Sequence, residues 1–170
     1  MNTLLVAVRG ASVASAALAA ALIAAPAFAE PDYVTIEMQI DVDAPAAEAW
    51  AQVDGFCDIG DWMDIECEIT SGDGGVGTVR TFASGATEVI VGRTDLSYGY
   101  ALPPIEGRAY NLYHGYLEAR PLTESTSRLI YTLMYDVSML DEEEREAGIE
   151  RRRTAFEGAL ATMKATIEAE

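Results

Sequence analysis

The sequence predicts an α+β domain: a curved antiparallel sheet of about seven strands wrapped around a long C-terminal helix, with two short helices after strand one. Three observations carry this. Residues 33–42 alternate strictly between apolar and polar, and a run of strand-like segments broken by Gly, Pro and Asp fills the middle of the chain. From Asp141 onward, apolar residues recur at helical steps.

Ahead of this domain, residues 1–29 have the composition of an export signal. Arg9 is the one cation, Ala11 to Ala25 is an uncharged run rich in Ala and Leu, and Pro26-Ala-Phe-Ala29 puts small residues where a signal peptidase cuts. The run is short for a bilayer span. The expectation is a cleaved signal over 1–29 and one domain over 30–170, working in the periplasm or secreted. No Arg pair precedes the run, which favours the general secretory route, and no Cys follows the cut to take a lipid anchor.

Residues 30–170 are enough for one well-buried core. The whole chain carries 28 acids against 11 Lys and Arg, a net charge of −17. Without Arg9 the predicted mature part stands at −18. Such a surface repels phosphate backbones and anionic headgroups, which argues against nucleic acid and permits a basic protein partner. The two cysteines, Cys57 and Cys67, would pair in an oxidising compartment or else pack as small buried thiols. Their spacing is neither a redox C-x-x-C nor part of a zinc set, so no metal and no cofactor is expected.

The elements follow in order. Val34, Ile36, Met38, Ile40 and Val42 share one face of a first strand, Tyr33 to Val42. Asp43 is a candidate cap for a short helix with Pro45 in its first turn, ending near Asp54-Gly55. A second short helical piece is expected over Phe56 to Trp62. Strands are then expected over Ile65 to Thr70, Val76 to Phe82, Thr87 to Thr94, Ser97 to Leu102, Ala109 to Ala119 and Ser127 to Val137. Pro103-Pro104 cannot donate ladder hydrogen bonds and ends one of them. Asp141 and Glu144 match a capping box, and Ile149, Phe156, Leu160, Met163 and Ile167 form the stripe of a helix of about 25 residues.

In this order and at these intervals the chain resembles the START-like superfamily, also called Bet v 1-like or SRPBCC, and its polyketide cyclase/dehydrase-like members in a secreted subgroup. The carriers are Ile40-Asp-Val-Asp-Ala-Pro-Ala-Ala-Glu-Ala-Trp50, Phe56-Cys-Asp-Ile-Gly-Asp-Trp62, Gly75-Val-Gly-Thr-Val-Arg80 with Glu88, Leu96-Ser-Tyr98-Gly-Tyr100, and Phe156-x-x-x-Leu160-x-x-Met163-Lys164. One departure is Met63-Asp64, where relatives often have Pro. The resemblance implies a helix-grip fold, supports pairing of Cys57 with Cys67, and implies a cavity between sheet and C-terminal helix that takes an apolar or amphipathic small molecule.

Strand parity assigns most residues of that cavity: Tyr98, Tyr100, Tyr113, Gly115, Leu117, Tyr131, Leu133 and Tyr135, with Trp62 as a wall residue from the second short helix and Phe156 and Leu160 from the C-terminal helix. Gly115 leaves room in mid-strand, and the Tyr hydroxyls are suited to orienting a ligand carbonyl or hydroxyl. Glu88 is a weak catalytic candidate whose more ordinary role is an ion pair with Arg80. His114 shares the outward phase of its strand with Tyr116 and Glu118, which removes it from the cavity. Arg153 flanks the stripe and either snorkels or closes the mouth against an anionic ligand.

The functional expectation is binding of an apolar or aromatic small molecule. One alternative is a cyclase, dehydratase or hydrolase using cavity Tyr residues and Glu88; no catalytic motif is visible, so such activity rests on the resemblance alone. Another is an accessory protein docking on a periplasmic redox enzyme.

Overall fold

A computed structural model describes residues 30–104 and 112–169. The predicted signal and part of the β5–β6 connection lie outside the described residues. The elements are β1 (Tyr33–Val42), α1 (Ala46–Ala51), α2 (Ile59–Met63), β2 (Cys67–Ser71), β3 (Val79–Phe82), β4 (Thr87–Thr94), β5 (Ser97–Leu102), β6 (Tyr113–Pro121), β7 (Ser127–Asp136) and α3 (Glu142–Glu168). The seven strands form one antiparallel sheet in the order β1-β7-β6-β5-β4-β3-β2. Both short helices fall between β1 and β2, and the helix-grip arrangement inferred from the sequence is the one observed.

β1 forms because its alternation suits one buried face: Ile36, Met38 and Val42 are buried, Ile40 is half-buried on the same face, and Glu37, Gln39 and Asp41 are exposed. α3 starts on the expected capping box, with Glu144 N–H donating to Asp141 Oδ1 at 2.8 Å and Asp141 N–H donating to Glu144 Oε2 at 3.3 Å. It runs for 27 residues, about 40 Å at 1.5 Å per residue. Phe156, Leu160, Met163 and Ile167 are buried as the stripe predicts; Ile149 is half-buried and still packs on the core. Gly148 and Ala159 join the buried face.

Several boundaries differ from expectation. α1 is capped at Pro45 and ends at Ala51; Asp43 instead donates its N–H to Glu168 Oε1 at 2.9 Å. Residues 56–58 are a turn, and α2 starts at Ile59. β3 starts at Val79 rather than Val76, because Gly72, Gly74 and Gly77 all take positive φ and prolong the turn. β2 starts at Cys67 and β6 at Tyr113, later than read. Cys57 and Cys67 form a disulfide that ties the turn before α2 to the first residue of β2.

The two sheet edges are treated differently. α3 packs along β1, where Arg153 donates to the carbonyl of Glu37 at 3.4 Å and Lys164 to that of Asp41 at 2.7 Å. These cations occupy edge carbonyls that would otherwise be open to another strand.

Candidate functional site

The concave face is built by the inward phase of five strands. Cross-strand pairs place Arg80 opposite Glu88, Ile90 opposite Tyr100, Tyr100 opposite Gly115, Tyr98 opposite Leu117, and Gly115 opposite Leu133. Tyr131 follows from β7, and Trp50 and Phe56 are brought against the same face by the α1–α2 segment. Tyr98 meets Trp50 at 5.7 Å and Phe56 at 5.5 Å between ring centroids, and Tyr131 meets Phe156 of α3 at 4.5 Å.

These residues converge as parity predicts, but they fill the space between sheet and helix where a hollow was expected. Tyr98, Leu117, Tyr131, Leu133 and Tyr135 retain 0% of their surface, and Tyr100 and Leu160 retain 1%. A side chain bordering a void large enough for water would keep accessible surface, so none of these seven does. Gly115 shows the reason. A Cβ there would stand 2.0 Å from Cζ of Tyr100, so the room left by the glycine is occupied by the Tyr100 ring. Trp62, Tyr113 and Phe156 keep 7–8% and lie toward the margins.

Polar groups within this core are centred on Arg80. Its Nε and Nη2 donate to Glu88 Oε2, and its Nη1 donates to the carbonyl of Phe56. The guanidinium lies 4.1 Å from the Phe56 ring centroid, 4.7 Å from that of Tyr100 and 5.2 Å from that of Phe82. Burial works to neutralise Arg80, but the Glu88 carboxylate opposes it and the guanidinium stays charged. Burial pushes the Glu88 carboxyl up, and Arg80 pulls it back only in part. Burial also pushes the Tyr98 phenol up to about 12 and those of Tyr100 and Tyr131 well above their ordinary value, so all three are neutral hydroxyls at physiological pH. Tyr100 and Tyr131 bond to each other at 2.9 Å; Tyr98 Oη has no hydrogen-bond partner among the described residues.

His114 lies on the outward face, half-buried, with Tyr116 and Glu118. Arg153 is held at the β1 edge and 3.8 Å from Glu157. Its neighbour is the residue that faces the core. Arg152 lies one turn from Gly148 and from Phe156, with its guanidinium 4.3 Å from the Tyr135 ring centroid and 5.8 Å from that of Tyr113. Those two rings stack at 5.7 Å and 26°. Arg152 also lines a cleft of about 480 Å³ with Leu140, Ala147, Gly148 and Arg151, bordered by Asp141, Glu143 and Glu144. Sequence reasoning passed over Arg152 because it tracked the stripe by apolar type; the four-residue spacing 148–152–156 was the available signal.

Among the described residues no group of three His, Cys, Asp or Glu side chains could hold a metal ion. No described helix is long and apolar enough to cross a membrane.

Comparison with known proteins fits this geometry. The sequence model of a family described as "Polyketide cyclase / dehydrase and lipid transport" matches residues 33–168. No curated protein matches the sequence. A Nitrosospira multiformis protein of known structure is 20% identical, with a TM-score of 0.66 over 80% of this chain and 97% of that one. Norcoclaurine synthase from Thalictrum flavum, solved with dopamine and hydroxybenzaldehyde, is 20% identical with a TM-score of 0.61 over 81% of this chain and 87% of its own. The ZhuI aromatase/cyclase from Streptomyces sp. R1128 is 18% identical with a TM-score of 0.63 over 81% and 98%. At these identities the likeness is one of fold.

Proposed function

The chain belongs to the polyketide cyclase/dehydrase and lipid transport family, and from that premise we propose that it binds an apolar or aromatic small molecule in the cleft along the first half of α3, beside the Arg152–Tyr135 contact. The family and fold suit binding of hydrophobic ligands or cyclase-like chemistry. The observation that favours this end of the molecule is Arg152, stacked on Tyr135 beside an open cleft. Elsewhere the concave face is closed by its own aromatic rings.

A ligand entering here meets Arg152, whose guanidinium separates the cleft from the buried Tyr135 ring. To go deeper it must displace Tyr100 and Tyr131, whose mutual hydrogen bond would be lost. Binding ranks above catalysis because Glu88 is tied to Arg80 by two donors on one oxygen and the core phenols are held neutral. None of these groups is placed to move a proton to a ligand in the cleft. The proposed place of work is the periplasm; the signal-like composition of residues 1–29 and the Cys57–Cys67 disulfide support it.

Titration with 1-anilinonaphthalene-8-sulfonate, an aromatic probe with one anionic group, tests the site. The expected result is saturable fluorescence enhancement that weakens about tenfold in Arg152→Ala, through loss of stacking and charge. Enhancement unchanged in Arg152→Ala, or none at all, overturns the placement.

A further inference from the structure

We propose that the outer side of β2 is a docking edge for an extended, basic segment of a partner polypeptide, which adds to the sheet as a further strand. β2 ends the strand order, and among the described residues no strand pairs with its outer side. At the opposite edge Arg153 and Lys164 cap carbonyls of β1. Nothing comparable is available near β2, because residues 54–79 contain no Lys or Arg.

Charge selects the partner. Seven acids lie between residues 54 and 73, and Asp61, Asp64, Glu66 and Glu68 are exposed. The cations nearest in sequence are committed elsewhere: Arg80 is buried against Glu88, and Arg93 pairs with Asp54 at 2.8 Å. Two copies of this chain pairing β2 to β2 would oppose like charges along the edge. A cationic strand meets complementary charge instead, and its approach is steered by the chain's net −17.

Backbone and side chains agree with strand addition. Ala83 N–H donates to the carbonyl of Glu66 at 3.4 Å, which fixes the phase ahead of the register shift between Ile69 and Ser71: Glu66 and Glu68 bond toward β3, and the backbone groups of Cys67 and Ile69 point to the open side. The disulfide anchors Cys67, so the edge is held ready for pairing. Ile65 and Ile69, 42% and 40% exposed, alternate with Glu66 and Glu68. Two shallow clefts meet at Glu66, Phe82 and Ala83 near the start of β2: one of about 320 Å³ also includes Cys67, Glu68 and Thr81, the other of about 340 Å³ also includes Ile65 and Ser84. An added strand that alternates basic and apolar residues presents one type to Glu66 and Glu68 and the other to Ile65 and Ile69; main-chain bonds supply affinity and this alternation supplies specificity.

The test uses the purified protein with a short synthetic peptide alternating Lys and Val, and a Glu/Val peptide as control. Amide exchange and chemical shifts are followed by NMR. The expected result is that the Lys/Val peptide slows exchange at Cys67 and Ile69, that Glu66→Lys/Glu68→Lys weakens it about tenfold, and that the Glu/Val peptide does not bind. Unslowed exchange at millimolar peptide overturns the proposal, as does equal binding of both peptides or indifference to the double variant. Protection of the same amides by a concentration-dependent dimer, seen by light scattering without peptide, would assign the edge to a second copy and also overturn it.

Discussion

Arg80 and Glu88 face each other across the β3–β4 ladder, with Nε and Nη2 of the guanidinium 2.8 and 2.5 Å from the same carboxylate oxygen. The guanidinium is fully buried and its third contact is the Phe56 carbonyl. The pair is thus the polar pin between the sheet and the α1–α2 segment. Removing one member strands the other in an aromatic box. Glu88→Ala is expected to cost about 3–5 kcal/mol, whereas Arg80→Met/Glu88→Leu, which removes both charges, recovers most of that loss. Urea denaturation of both variants checks this; a loss below about 1 kcal/mol in Glu88→Ala would contradict the pin.

The Cys57–Cys67 link closes a loop of sequence separation 10 at the other end of the same segment. Cys57→Ser/Cys67→Ser is expected to lose about 2–3 kcal/mol, chiefly through a freer unfolded chain. Reducing the wild type should lower its denaturation midpoint by the same amount, and the variant should ignore reductant.

Gly115→Ala tests how fully the interior is packed. The new methyl would stand 2.0 Å from Cζ and 2.2 Å from Oη of Tyr100, a ring with 1% exposure bonded to Tyr131. The expected cost is about 1–3 kcal/mol, and Tyr100→Leu in the same chain should recover part of it, since the collision is with the outer half of the ring. Additive losses in the double variant would mean that the glycine serves another purpose.

Asp58 gives the pH dependence a sign. Burial pushes its carboxyl up, the Gly55 N–H at 2.9 Å pulls it down, and Asp54 and Asp61 push it up again, with a net rise. The folded state therefore holds this proton more tightly than the unfolded state. Its contribution is favourable below the ordinary carboxylate value and is lost as pH rises through the folded value. Asp58→Asn, which still accepts from Gly55, is expected to be more stable than wild type at pH 7. The difference should vanish on acidification below the ordinary Asp range, as thermal melts across pH would show.

The sheet was the most legible part of the chain. β4 and β5 have the bounds that alternation and turn residues predict, and the Asp141–Glu144 capping box starts α3 where expected. The Arg80–Glu88 pair was legible from the family resemblance, which puts an acid at Glu88, and from the need of a buried acid for a partner; the β3–β4 register sets the two opposite each other. Parity gives the direction of a side chain and says nothing of whether opposing side chains leave space between them. The tyrosines therefore pointed inward as read and consumed the hollow they were assigned to line. Arg152 was missed for a related reason. One step along a helix turns about 100°, so Arg153, judged by nearness to the stripe, faces β1, while Arg152 reaches Tyr135. The register of an amphipathic helix is read more safely when long cations are admitted to its buried face.

A protein that holds a small apolar or aromatic molecule in its α3 cleft, as proposed, keeps that molecule through gentle purification. Native mass spectrometry of the protein purified from the cells that naturally produce it checks this. The expected result is a retained mass of a few hundred daltons at most, on the scale of a cleft of about 480 Å³, that is lost in Arg152→Ala. A bare chain under the gentlest conditions, with no adduct in wild type or variant, would contradict it.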